Sequence, residues 1–173
     1  MFVFAQILGV ITTIIVIAAL QMKNIKTIFF FEALANLLVA ASCLLLSGLS
    51  GAAICIAATV QTVISYMYSS KEKEAPRVLT VGFMLVYIIL SVFTYKELPD
   101  VLPCIGALVY AVAVGQKKPF IFRIMMILNA AVWIGYDVWV GAYSLILTYV
   151  FQLTSSAVGI IRIDLKKKKT AKA

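Results

Sequence analysis

The sequence predicts an all-α integral membrane protein in which seven transmembrane helices form a 3+1+3 arrangement, two like-oriented triple-helix bundles joined by one crossing helix. Three observations predict it. Of the 173 residues, 64% are hydrophobic and 13% charged, and the mean hydropathy of +1.07 lies far outside the range of water-soluble domains. About seven spans of roughly 20 residues nearly exhaust such a length, so residues 1–173 read as one membrane domain. Finally, the basic residues gather in alternate connections, as an odd number of crossings requires.

The spans follow from apolar windows and their punctuation, at about 2–21, 27–47, 51–68, 78–95, 101–116, 119–139 and 142–163. Each is expected to be helical, because backbone N–H and C=O groups in hydrocarbon need partners within their own segment. The first run carries Lys23 and Lys26 after its apolar stretch rather than before it, which marks a retained helix with an outward N-terminus and not a signal peptide. Segments two and three meet at "SGLSG", too short for anything but a tight hairpin. "SSKEKEAPR" leads into the fourth segment and "KELPD" into the fifth, whose Pro103 and Gly106 sit near its start, where they permit bending. "QKKP" opens the sixth and "VGA" the seventh. Trp139 and Tyr143 at one end, with Tyr66 and Tyr68 at the other, suit interfacial anchors.

Seven spans with an outward N-terminus place 14 of the 15 Lys and Arg residues inside: Lys23 and Lys26; Lys71, Lys73 and Arg77; Lys117, Lys118 and Arg123; then Arg162, Lys166 to Lys169 and Lys172. Only Lys96 faces outward. The net charge of +8 is therefore a topology signal and not a nucleic-acid footprint. In the tail, Lys166, Lys167, Lys168 and Lys169 are expected to meet anionic lipid headgroups.

Common enzyme chemistries find little footing. The chain has no His, its carboxylates are scattered, and no GxGxxG, GxxxxGK[ST] or CxxC occurs, so no cofactor, metal or catalytic residue is expected. Cys43, Cys55 and Cys104 all fall in apolar segments and read as small packing residues. Cys43 and Cys55 lie at similar distances from the turn near Gly48, but no disulfide is predicted.

A repeat supports the bundle plan. "FFFEALANLLVAASCLLLSG" (29–48) and "FRIMMILNAAVWIGYDVWVG" (122–141) each place an Asn, Asn36 or Asn129, twelve residues before a terminal Gly. Gln61 and Gln152 follow at ten and eleven residues beyond Gly51 and Gly141, and Gln21 and Gln116 precede the two asparagines. Residues 1–68 then form the first repeat, 78–95 the linker helix, 100–163 the second repeat and 164–173 a basic tail. Two parallel triplets share an orientation only when one extra helix joins them.

The 3+1+3 plan resembles the SWEET/MtN3-like (PQ-loop) superfamily of solute carriers. Nearly the whole chain is similar to the YgjV-type bacterial inner-membrane protein family, through "AQILGVI" (5–11), "DVLPCIGALV" (100–109), "NAAVWIGYDVWVGAYS" (129–144) and "GIIR" (159–162). The resemblance implies a translocator in the bacterial inner membrane and names no cargo. Where SWEET-type sugar carriers favour asparagines on helices three and seven, this chain has Ala58 and Thr59, then Ser155 and Ser156. The Pro-Gln pair is also incomplete: Gln6 has no preceding Pro, and Pro103 is followed by Cys104.

Polar side chains inside hydrocarbon are costly unless paired or wetted, which makes them site candidates. At about 1.5 Å per residue, Asn36 and Asn129 each lie about 15 Å from the inner ends of their helices, near the midplane. Asn129, Trp133 and Asp137 share a face at i, i+4, i+8; Tyr149, Gln152 and Ser156 form a comparable stripe on helix seven. Asn36, Gln61, Asn129, Trp133, Tyr149, Gln152 and Ser156 are therefore the expected solute-binding residues, with simple inter-helix hydrogen bonding as the competing account. Glu32, Arg123 and Asp137 are the expected gating residues. Arg123 either pairs with Glu32 or snorkels to the inner headgroups, Asp137 sits at the outer mouth, and Glu32 is also a candidate proton-coupling carboxyl. The leading expectation is a carrier of a small polar solute by alternating access. The alternative is a non-transporting receptor or assembly partner; homo-oligomerisation is left open.

Overall fold

The computed structural model describes residues 2–73, 75–116 and 118–165, so the lipid anchor expected at Lys166 to Lys169 lies outside the described residues. Among the described residues seven α-helices follow one another: α1 (Phe2–Gln21), α2 (Ile25–Leu45), α3 (Leu49–Ser70), α4 (Arg77–Thr94), α5 (Val101–Val114), α6 (Pro119–Val140) and α7 (Tyr143–Gly159). A 3-10 turn, Leu98–Asp100, precedes α5, and π-type winding over Ile160–Leu165 extends α7. No strand occurs among the described residues. Six helices are long and apolar enough to cross a membrane; the stretch Leu98–Val114 containing α5 is apolar but shorter. Its 3-10 turn adds about 2 Å per residue to the α-helical rise of about 1.5 Å, giving roughly 27 Å against a hydrocarbon core of about 30 Å.

Local signals explain the ends. The side chain of Asn24 accepts from the Lys26 N–H at 3.0 Å and caps α2. Pro119 opens α6 in the first turn, where a missing N–H costs nothing. Gly141, with φ of 75°, ends α6 in the left-handed region, and the next N–H, of Ala142, returns to the Asp137 carbonyl at 2.9 Å. Gly48, its partner in the sequence repeat, does different work. There the left-handed residue is Ser47, at φ 63°, while Gly48 caps α3 and allows close approach: a Cβ on it would lie 3.2 Å from the Tyr136 hydroxyl.

Packing closes the helices into a ring. The α2 helix lies against both α1 and α3, α6 against both α5 and α7, and the ring is completed by α1 on α7 and α3 on α5. On the outside, α4 leans on α3 and α5 and buries only Tyr87. Val78, Val92 and Phe93 on α4 are more than 70% exposed, an apolar surface suited to hydrocarbon and not to water. The α1–α7 seam is held by polar pairs: Gln6 Oε1 accepts from the Ser144 N–H (2.9 Å), Thr13 and Thr148 hydroxyls meet at 2.7 Å, and Gln21 Nε2 donates to Ser155 Oγ (2.8 Å). Gly9 makes the seam possible, since any side chain there would run into Ser144. Such small residues and short hydrogen bonds hold helices together where lipid is as apolar as leucine.

Candidate functional site

Inside the ring, six helices, all but α4, line one cavity of about 30 Å³. By the same measure a water needs roughly 10–15 Å³, so two or three waters would fill it. Glu32 and Asn36 reach it from α2, one helical turn apart. Tyr110 enters from α5, Asn129 and Trp133 from α6, and Tyr149 and Gln152 from α7. Of the seven expected solute-binding residues, Asn36, Asn129, Trp133, Tyr149 and Gln152 therefore meet at one place.

The three amides there are anchored. Asn129 Nδ2 donates to the Gly106 carbonyl and Gln152 Nε2 to the Met126 carbonyl, both at 2.8 Å. Asn36 Nδ2 donates to the Tyr110 hydroxyl at 2.7 Å, which in turn lies 2.8 Å from Thr62 Oγ1. Trp133 and Tyr149 stack with ring centroids 5.9 Å apart and planes 16° from parallel. The indole is seated on bare backbone, because a Cβ on Gly106 would lie 2.7 Å from Trp133 Nε1. Close approach is thus what Gly106 supplies to α5. Glu32 is 3% exposed, and its Oε1 has no hydrogen-bond partner among the described residues.

Two expected binding residues do not line the cavity. Gln61 accepts from the Tyr87 hydroxyl (2.6 Å) and donates to the Ala111 carbonyl (3.3 Å), which pins α4 and α5 to α3. Ser156 is fully buried away from the cavity.

The gating residues also sit differently from expectation. Arg123 neither snorkels nor turns to Glu32. It is fully buried, with Nε on the Leu20 carbonyl (3.0 Å), Nη2 on the Met22 carbonyl (2.6 Å) and Nη1 on Asp164 Oδ2 (2.7 Å). The end of α1 leaves unpaired carbonyls at a partial negative charge, and a guanidinium fork meets several of them at once. Gly159 lets it through, for a Cβ there would lie 2.7 Å from Arg123 Nε. Asp137 does not reach an aqueous mouth: it is fully buried, and neither carboxyl oxygen has a partner among the described residues. Cys43 and Cys55 are both buried and unpaired.

The end opposite the basic loops carries a network that sequence reasoning missed. Gly51 N–H donates to the Tyr136 hydroxyl (3.2 Å), Tyr136 and Ser50 hydroxyls meet at 2.8 Å, and Ser50 donates to Asp100 Oδ1 at 2.6 Å. Since Ser50 gives its proton to the carboxylate, Tyr136 donates to Ser50, and the chain runs one way toward Asp100. Asp100 Oδ2 also takes the N–H groups of Lys96 (2.9 Å) and Glu97 (3.1 Å). Partial burial alone would raise its pKa. The hydrogen bonds from Ser50, Lys96 and Glu97, with the Lys96 charge, outweigh that and hold the carboxyl below the usual carboxylate range. The pattern S-x49-D, with a tyrosine 36 residues further on, carries no local signal.

No curated protein and no solved structure matches the chain. A family model does, over residues 3–167: Imp-YgjV, described as bacterial inner membrane protein. With nearly every residue covered and six helices able to cross a bilayer, the chain belongs to the Imp-YgjV family of bacterial inner membrane proteins.

Proposed function

We propose that this protein is a SWEET-like carrier or facilitator for a small polar solute. In this reading α1–α3 and α5–α7 are the two triple-helix repeats, α4 is their connector, and all seven helices cross the membrane, with α5 spanning a thinned or well-packed region. The basic end faces the cytoplasm and the N-terminus lies outside, in line with the positive-inside rule. One observation carries the proposal: side chains from both triplets, Glu32 and Asn36 on one and Asn129, Trp133, Tyr149 and Gln152 on the other, converge on a single cavity. Sites at the interface of two repeats are what rocking-bundle carriers use. Polar contacts hold both ends of the ring, so exchange requires the two ends to open in turn.

The small cavity also favours a second reading, a non-transporting membrane receptor on the same scaffold, because folds do not dictate function. Reconstitution separates them. A thermal-shift screen of the purified protein against small metabolites identifies a ligand, since binding to the native state raises apparent stability. Uptake of that ligand into proteoliposomes is then expected, and a Thr13→Cys/Thr148→Cys cross-link across the α1–α7 seam should stop it, with recovery on reduction. A ligand that binds but never enters the vesicles would establish the receptor instead.

A further inference from the structure

The amide and carboxyl groups of the cavity share a sign. Asn129 and Gln152 direct their amide nitrogens to backbone carbonyls of Gly106 and Met126. A carbonyl has no proton to give, so neither amide can be turned round without opposing two acceptors. Asn36 is fixed by a longer chain of the same logic. Thr62 donates to the Ala58 carbonyl (2.7 Å), so Tyr110 gives its one proton to Thr62 and can only accept from Asn36. All three amides thus commit nitrogen to the helix packing, and their oxygens accept nothing from the described residues. Glu32 adds a buried carboxyl with an unpartnered Oε1, and no Lys or Arg is among the lining residues. The stacked Trp133 and Tyr149 contribute aromatic faces, which also attract cations.

An anion would meet a carboxyl and three amide oxygens with no compensating positive charge. A sugar needs many times the volume of two or three waters. We propose that the cavity binds a small monovalent cation of alkali-metal or ammonium size, with Glu32 as counter-charge and the side-chain oxygens of Asn36, Asn129 and Gln152 as neutral ligands. Hard cations take carboxylate and carbonyl oxygens, and rings of carbonyls can replace a hydration shell. Pairing the ion with Glu32 also brings the net charge within the cavity to zero, which lowers the cost of holding either inside hydrocarbon. The inference rests on the carrier reading only in taking this cavity as the working site; the cation is then the cargo or its coupling ion.

The test uses the full-length purified protein at fixed pH and ionic strength. Its Tm in N-methyl-D-glucamine chloride is compared with that in sodium, potassium, ammonium and methylammonium chloride. At least one small cation is expected to raise Tm saturably, by about 2–5 °C at saturation; the cation with the largest shift tells an alkali-metal site from an ammonium site. Glu32→Gln should lose the shift while keeping its Tm in N-methyl-D-glucamine. Glu32→Asp, with the charge on a shorter arm, should need at least threefold more cation for the half-maximal shift, and serves if the glutamine variant does not fold. Equal Tm in all five salts, or an undiminished response in either variant, overturns the proposal. Stabilisation by neutral solutes with none by cations also overturns it, yet spares the carrier. A cation-dependent shift without uptake in proteoliposomes does the reverse.

Discussion

At the scale of single residues, the cavity depends on what is missing at position 106. The Trp133 indole lies stacked on Tyr149 and edge-on to Tyr136 (5.7 Å, 86°), so it cannot retreat from a methyl group built 2.7 Å from its nitrogen. Gly106→Ala is expected to cost about 1–3 kcal/mol by overpacking and to abolish any ligand-induced Tm shift, because the displaced ring is part of the cavity wall. Thermal melts with and without ligand check this; a variant that melts and responds like the parent would rule it out. Much of the site was legible before the structure, because a polar residue inside an apolar run points to its own cost. That logic brought Asn36, Asn129 and Gln152 together, and i, i+4 spacing added Trp133. It failed for Gln61, whose cost is met by Tyr87 on another helix, since a sequence shows that a partner is needed and not where it stands. Asp137 was misplaced for a related reason. Depth counted along one helix ignores the neighbours packed over it, and this carboxyl is fully buried. Tyr110 was overlooked although a tyrosine in an apolar helix implies a partner for its hydroxyl.

Among elements, the cost of closing a ring falls on the α1–α7 seam, which joins segments more than 130 residues apart. Short connections made neighbouring pairs legible, and "QKKP" and "VGA" fixed the starts of the sixth and seventh helices to within a few residues. Nothing local announced that the first helix would meet the last. Arg123 completes that seam by binding two α1-end carbonyls and Asp164 through three separate nitrogens. Arg123→Lys keeps the charge but offers one ammonium in place of a planar fork, and leaves at least one buried acceptor unpaired. The expected loss is roughly 1–3 kcal/mol, seen as a lower Tm, with the exposed Arg162→Lys as the control that should barely change. Equal melting of the two variants would show that the fork does not hold the seam.

Taken whole, the molecule is a ring with a polar fastening at each end and a small acceptor-lined chamber between them. The fastenings differ in kind, and that difference is testable by pH. Asp100, at the end away from the basic loops, is a carboxylate whose folded-state pKa lies below its ordinary value through hydrogen bonds from Ser50, Lys96 and Glu97. A depressed carboxylate pKa contributes stability that is fully present above the unfolded value, about 3.9, and is lost as pH falls through the lower folded value. Protonation removes an acceptor from the end of the Gly51–Tyr136–Ser50 chain, so the α3–α5–α6 junction should loosen in acid. The parent should therefore melt higher than Asp100→Asn at pH 7, and the gap should narrow as pH is lowered from about 5 to 3. The amide that Asp100→Asn introduces can still accept but carries no charge, so the melting temperature of that variant should fall less steeply in acid. A gap of constant size across that range would mean that Asp100 acts through packing rather than through its charge, and that the end away from the basic loops is not fastened by a titratable group.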